Sequence, residues 1–453
     1  MIAIDKNSEV ALYEQIYNCV SKDIIDGAFK QGDMLPSIRE LAQELHVSQI
    51  TVVNAYQALQ ADGYIYSHKG KGFFVGLDKV VSGNTEEEDE AFDKIIDLSV
   101  SSTPMEFFPW KKWRKYMNAA FDRLAVQDKM LSLKYEKRIL QESLGRYLKA
   151  YRGIHVNPEQ IVVCSGTLCS VEKLARILTS VENGIAFAEP VSAKIRNVFR
   201  SNDFRVCPIS VSRDHLEIKE LEKKGCTSVF LPSELVRGKT SGKNFLSDIL
   251  SWMKERKSYL IEYDMGLNEL KEIPQNGLEE SIISIGTFDE ILPPEIQCAY
   301  LVLPKKLMKR YENIYGRFEP MFPMSYQIAL AHFVDDGLLF KMMRKVSYHN
   351  AIIEKKDIKL ADEYLKDRYE IYTDRFMESG LSIRLIGCTD QRIFLEELQK
   401  KGIYLMGAKE NWYYQDQARE DVFIMKYGKY SEKKMSYLFQ SIKLCLDEMI
   451  KRQ

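Results

Sequence analysis

The stretch from Leu35 to Val75 constrains the fold most, because its hydrophobic period switches from helical to alternating within one short segment. Ser37 is placed to cap a helix, and Glu40, three residues on, completes a capping box. Ile38, Leu41, Ala42 and Leu45 then form one apolar stripe at helical spacing. His46-Val47 makes the turn, and Ser48 caps a second helix with its stripe on Val52, Ala55, Tyr56 and Leu59. Asp62-Gly63 stops that helix. Tyr64 to Ser67 and Gly72 to Val75 read as strands joined by the charged turn His68-Lys69-Gly70-Lys71. Two helices, a short turn and a hairpin outline a winged helix-turn-helix, whose second helix enters the DNA major groove by its first residues. Upstream, Leu12, Ile16, Val20 and Ile24 repeat every four positions and predict a further helix over 10–27.

This stretch resembles the DNA-binding domain of the GntR superfamily of bacterial transcription regulators. The match begins at Leu12-Tyr13-Glu14-Gln15-Ile16 and runs through Gly32-Asp33-Met34-Leu35-Pro36-Ser37 to the wing. The resemblance implies that Arg39 contacts DNA, that Ser37, Ser48 and Thr51 lie on the DNA-facing side, and that the wing tip, His68, Lys69, Gly70 and Lys71, reaches the minor groove. Gln49 and Val53 stand where better-known branches carry arginine; Gln49 suits a bidentate pair with adenine and Val53 an apolar contact, while Asn54 and Gln57 face outward as either readers or plain solvent residues. From Met1 to Gly76 nine acidic side chains face six basic ones, so one copy is expected to bind DNA weakly and two to act together.

The remaining chain is long enough for further domains, and with 45% hydrophobic residues and a net charge of −1 it reads as a globular protein. No apolar run reaches membrane-spanning length, the opening MIAIDKNSEV lacks a signal-peptide layout, and the eight cysteines show no metal-ligand spacing. A cytoplasmic protein without a metal is expected. Residues 77–97 carry Ser82-Gly83-Asn84 and then Glu86-Glu87-Glu88-Asp89-Glu90, the composition of an acidic linker between a DNA-binding domain at 1–76 and the rest of the chain. Beyond it, short apolar runs (161–164, 184–187, 228–231, 259–262, 281–285 and 299–303) alternate with helical patterns at 170–178, 192–200 and 248–256. That alternation predicts a mostly parallel sheet covered by helices. Long helices are expected over 324–367, a mixed pattern over 370–427 and a terminal helix over 431–450.

Several landmarks here resemble fold-type I aminotransferases, as found in the MocR branch of the GntR superfamily: Phe108-Pro109 with Trp113, Leu148 to Ile154, Ser165-Gly166-Thr167, Ala188-Glu189-Pro190, Gly286-Thr287-Phe288, and Gln327 with Ala329 to Ala331 and Phe333. The resemblance implies a multidomain chain: an N-terminal winged helix-turn-helix, then an α/β aminotransferase-like large domain at 98–340 with a small α+β C-terminal lobe at 341–453. It also implies a pyridoxal-phosphate site, and there the sequence departs from the family. The Schiff-base lysine position holds Glu290, and a carboxylate cannot replace an amine nucleophile. The serine before it is Asp289, the phosphate-pairing arginine is Gln297, the pyridinium-pairing aspartate is Tyr263, and a cofactor-holding tyrosine is Met265. The family's Pro-Ser-His-Gln segment reads Pro232-Ser233-Glu234-Leu235. These changes make the pocket about three charges more negative than one built for a phosphate ester. Ser165, Gly166, Thr167 and Thr287 are retained, and Lys426 is nearest to a carboxylate-binding arginine.

The expectation is a homodimeric regulator of double-stranded DNA, not an enzyme and without a cofactor. Its large domain would serve dimerisation and the sensing of a neutral or cationic small molecule. The competing readings are a MocR-type regulator that binds pyridoxal phosphate non-covalently, an active aminotransferase, and a constitutive DNA-binding protein with a purely structural second domain.

Overall fold

A computed structural model describes residues 4–5, 11–25, 28–29, 32–61, 64–68, 71–75, 95–100, 107–126, 132–179, 184–211, 218–238, 245–256, 258–267, 270, 279–316, 322–372, 380–416, 418–428 and 430–451. The chain forms two compact units, one of Met1–Ile95 with Arg344–Ile358 and one of Ile96–Met343 with Lys359–Gln453.

The first unit contains α1 (Leu12–Ile25), α2 (Ile38–Glu44), α3 (Gln49–Ala61), β1 (Ile65–His68) and β2 (Gly72–Val75). The capping box at α2 forms in both directions: Ser37 N–H donates to Glu40 Oε2 (2.9 Å) and Glu40 N–H donates to Ser37 Oγ (3.2 Å). At α3, Thr51 N–H donates to Ser48 Oγ (3.1 Å), satisfying one amide that the helix itself leaves open. Ile16, Leu41, Val52, Ala55, Tyr56 and Leu59 are fully buried, as their periodicity requires, and Tyr56 Oη donates to the Pro36 carbonyl (2.8 Å). Tyr348, from the helical stretch Arg344–Ile358, joins this core against Tyr64 with ring centroids 4.2 Å apart. The hairpin register pairs Ile65 with Val75 and His68 with Gly72, so β1 runs one residue further than its sequence pattern suggests. The Asp62-Gly63 stop, the tip residues Lys69 and Gly70, and positions 77–94 of the expected linker lie outside the described residues.

In the second unit, β3 (Ile96–Asp97) pairs in parallel with β13 (Ile403–Tyr404). The main sheet is built from β4 (Ile161–Cys164), β5 (Gly184–Ala188), β6 (Arg205–Ile209), β7 (Ser228–Pro232), β8 (Tyr259–Asp264), β9 (Ile282–Thr287) and β10 (Ala299–Val302), in the order β4-β10-β9-β8-β7-β5-β6. Only β10 among these runs antiparallel to its neighbours. The helices of this unit are α4 (Trp110–Val126), α5 (Ser132–Arg152), α6 (Thr167–Thr179), α7 (Ala193–Ser201), α8 (Ile218–Lys223), α9 (Ser233–Arg237), α10 (Phe245–Arg256), α11 (Lys305–Tyr315), α12 (Met324–Asp335), α13 (Leu338–Tyr364, which also supplies the stretch in the first unit), α14 (Gln391–Gln399) and α15 (Glu432–Lys451). A smaller antiparallel sheet comes next, with β11 (Tyr369–Ile371), β12 (Leu381–Leu385), β14 (Met406–Gly407) and β15 (Val422–Met425) in the order β11-β12-β15-β14. The mostly parallel sheet and the α+β lobe are therefore as anticipated.

Strands β5, β7, β8 and β9 are buried along their whole length, which is why they read as continuous apolar runs rather than alternating ones. Gly286 is demanded by packing, since a Cβ there would fall 1.9 Å from the Tyr300 ring. Strand β6 is absent from the sequence expectations because Arg205 and Pro208 interrupt its apolar run; at the sheet edge both are tolerated.

Candidate functional site

The C-terminal ends of β4, β8 and β9 meet at one edge of the main sheet, where ligands bind in open α/β sheets. Three segments converge there. The turn Ser165-Gly166 follows β4 and leads into α6; Asp289 and Glu290 lie in the turn after β9; and Gln297 precedes β10. Gly166 adopts φ +117°, a conformation that favours glycine, and a Cβ at this position would sit 3.2 Å from Gln297 Oε1 and 3.6 Å from Asp289 Oδ1. Asp289 Oδ2 accepts from the Thr167 backbone N–H (3.2 Å) and from Thr167 Oγ1–H (2.7 Å). Asp289 N–H in turn donates to Thr287 Oγ1 (3.1 Å). The Asp289 carboxylate thus occupies the N-terminus of α6, where open amides and the helix dipole favour an anion. Its Oδ1 is buried and makes no hydrogen bond among the described residues. In the first turn of α6, a hydrogen bond from Cys164 draws the Cys169 thiol down to about 5 against the effect of burial, with Ser165 and Lys173 assisting.

Of the expected pocket residues, Gly166, Thr167, Thr287, Asp289 and Gln297 are brought together, with Ser165 in the same turn and Glu290 next to Asp289. Tyr263, near the end of β8, is buried and stacks on Phe230 (centroids 5.8 Å apart), while Met265 packs against the same core. Lys426 is 5% exposed just past β15, a burial that its position at a strand end did not foretell.

Two residues with a large part in this edge are given no role by the sequence, although Arg152 lies within the Leu148 to Ile154 landmark. Arg152, at the end of α5, donates from Nε to Asp264 Oδ2 (2.6 Å) and pairs through Nη2 with Oδ1. Arg237, at the end of α9, donates from Nε to Glu262 Oε1 (2.6 Å) and from Nη1 to the Arg152 carbonyl (2.7 Å). All four side chains are buried. Burial disfavours the Arg152 charge, but Asp264 outweighs it and holds the guanidinium pKa above its usual value. Both strand carboxylates are thereby committed to internal cations. The available signal was two acids at alternating positions of an otherwise apolar strand, which require buried partners.

In the first unit, Ser37, Arg39, Ser48, Gln49, Asn54, His68 and Lys71 are exposed and Thr51 is half-buried. Ser48 and Thr51 share a 2.7 Å hydroxyl contact at the start of α3, and Ile50 beside them is 71% exposed, more than a core role allows. The exposed first turn of α3 and the hairpin are the two elements by which a winged helix meets duplex DNA.

Residues 12–75 match the family model described as bacterial regulatory proteins, gntR family. The chain is 26% identical over 399 residues to an uncharacterised HTH-type transcriptional regulator, YdeL, of Bacillus subtilis (strain 168), covering 84% of this chain and 85% of that protein. It is 23% identical over 398 residues to a protein described as a probable rhizopine catabolism regulatory protein, MocR, of Rhizobium meliloti, covering 81% and 80%. The chain carries a gntR-family DNA-binding domain and is similar over most of its length to MocR-type regulators. The chain superposes on a kynurenine aminotransferase of Pyrococcus horikoshii, solved in complex with PMP, with a TM-score of 0.65 at 18% identity, covering 78% of this chain and 91% of that one. That likeness shows an aminotransferase-like fold and no more. Among the described residues no helix is long and apolar enough to cross a membrane.

Proposed function

We propose that this MocR-type regulator is a cytoplasmic homodimer that reads paired half-sites in double-stranded DNA and whose aminotransferase-like unit does no catalysis. The proposed limits are 1–76 for DNA binding, 77–97 as the linker, 98–340 as the large domain and 341–453 as the small lobe, although Ile96–Asp97 pair with β13 and Arg344–Ile358 group with the first unit. Arg39, Ser48, Thr51 and the wing residues His68, Lys69, Gly70 and Lys71 hold the phosphate backbone and minor groove, with Ser37 positioning α2. Gln49 and Asn54 read base edges. The observation that carries the non-catalytic reading is Glu290 beside Asp289. The turn where the family resemblance calls for an amine offers two carboxylates, and Asp289 already takes the α6 N-terminus.

The residues present do not fit pyridoxal phosphate. Asp289 uses the phosphate's hydrogen-bond donors, Gln297 carries no charge to pair with it, and Tyr263 presents a buried ring in place of a pyridinium-pairing acid. The second unit therefore serves dimerisation and senses a neutral or cationic effector, with Glu290 as the partner for an ammonium and Lys426 for a carboxylate. Purified full-length protein is tested by selection from random duplex DNA and by its absorbance spectrum. Enrichment of a motif with paired half-sites, on a protein without a borohydride-reducible chromophore, supports the proposal. A stoichiometric reducible chromophore overturns the non-catalytic reading, and failure to enrich any sequence overturns the DNA reading.

A further inference from the structure

The anion-binding position of the second unit has an occupant, and it belongs to the chain itself. α6 is long enough to carry a full helix dipole, and its first backbone amide and first hydroxyl, both from Thr167, point at one oxygen of Asp289. The acid arrives from the turn after β9 and is fixed there by its own amide on Thr287 Oγ1. Gln297 Oε1 closes the other side over Gly166.

We infer that Asp289 is a built-in anion that shuts the second unit to phosphate-bearing ligands. The inference rests on the reading of this edge as the remnant of a cofactor site, and it adds a ligand class that the edge rejects. A phosphate group entering here would have to displace a carboxylate already held by the same donors, and would meet Gln297 where a cation is required. Asp289 Oδ1, buried without a hydrogen-bond partner among the described residues, and Gln297 Oε1 both lie over Gly166. The atoms that close over Gly166 are therefore acceptors, suited to an N–H donor and hostile to an anion.

The test uses full-length protein, inorganic phosphate as probe, and the melting temperature of the second unit, with Asp289→Ser and Asp289→Asn alongside the unsubstituted chain. Serine vacates the space and returns a hydroxyl donor. Asparagine keeps an acceptor for Thr167 but removes the charge, and so serves if the serine variant does not fold. Millimolar phosphate is expected to leave the unsubstituted protein unmoved and to raise the melting temperature of a variant saturably, by about 2 °C or more. Saturable stabilisation of the unsubstituted protein, or no gain in any folded variant, overturns the inference. Sodium chloride at matched ionic strength removes general screening from the comparison. Failure of the non-catalytic reading would show instead as a reducible chromophore, which inorganic phosphate cannot produce.

Discussion

Replacing Arg237 by methionine should destabilise the second unit severely, although the residue contacts no expected ligand. Arg237 and Glu262 are each 1% exposed, and their 2.6 Å contact is the main neutralisation of the Glu262 carboxylate. With methionine in place, Glu262 keeps one long hydrogen bond, from Ser284 Oγ at 3.5 Å. Stripping a buried charge of its partner costs about 3–5 kcal/mol. The Arg152 carbonyl also loses a 2.7 Å donor, which adds about 1 kcal/mol. Arg237→Met with Glu262→Leu removes both charges at once and leaves only that second loss, so the double variant should lie within about 2 kcal/mol of the unsubstituted protein. Urea unfolding followed by tryptophan fluorescence reads this unit selectively, because Trp110, Trp113, Trp252 and Trp412 all lie in it. If Arg237→Met costs less than about 1 kcal/mol, or if the double variant equals the sum of the singles, the pair does not hold the strand as described.

The other expectations are smaller or concern DNA. Ser37→Ala removes an acceptor from the Glu40 amide and should cost the first unit about 1 kcal/mol, measured by thermal melting of full-length protein. Gln49→Ala should relax preference at a single base position by about 1–3 kcal/mol, whereas Lys71→Ala should weaken all sequences alike and flatten the salt dependence; binding titrations at several salt concentrations separate the two. Asp357 on α13 is pushed up to about 7, chiefly by burial and further by Glu354, with Lys356 opposing. A proton held more tightly by the folded than by the unfolded chain gives stability that is complete below about pH 4 and lost as pH rises towards about 7, so Asp357→Asn should flatten the melting temperature across that window.

Legibility in the sequence tracks physical range. Local signals survive well: the Ser37–Glu40 box, the buried stripes of α1 to α3 and the apolar runs of β4, β5 and β7 to β10 are set by neighbours a few residues away. The amphipathic helices α4 and α5 are absent from the sequence expectations although their periodicity is ordinary, because runs of charged residues dilute their apolar stripes. At the candidate site, the sequence marks which positions depart from the family but not how the departures are accommodated. Thr167 and Asp289 are 122 residues apart, and Arg152 and Asp264 are 112 apart. No local pattern reports such a pairing, whereas the burial of an acid on an apolar strand at least announces that one must exist.

That difference changes what the substitutions mean. Counted along the sequence, Asp289 is one more like charge crowding a pocket that has lost its cations, and the sum predicts repulsion. In three dimensions its charge meets the first amide and the first hydroxyl of α6, as the charge of a bound anion would. The Glu262 and Asp264 charges are likewise met by Arg237 and Arg152. An edge that had merely lost its ligand chemistry would leave the α6 amides open and its strand acids exposed to solvent or unpaired. Here the Thr167 amide and hydroxyl at the α6 terminus and the acids of β8 have internal partners, and Tyr263 adds its ring to the Phe230 stack. The fold thus keeps the architecture of an open α/β edge while Thr167, Arg152 and Arg237 meet the charges of Asp289, Asp264 and Glu262 from within. Such a unit can hold a dimer together or answer a different effector with Asp289 still in place.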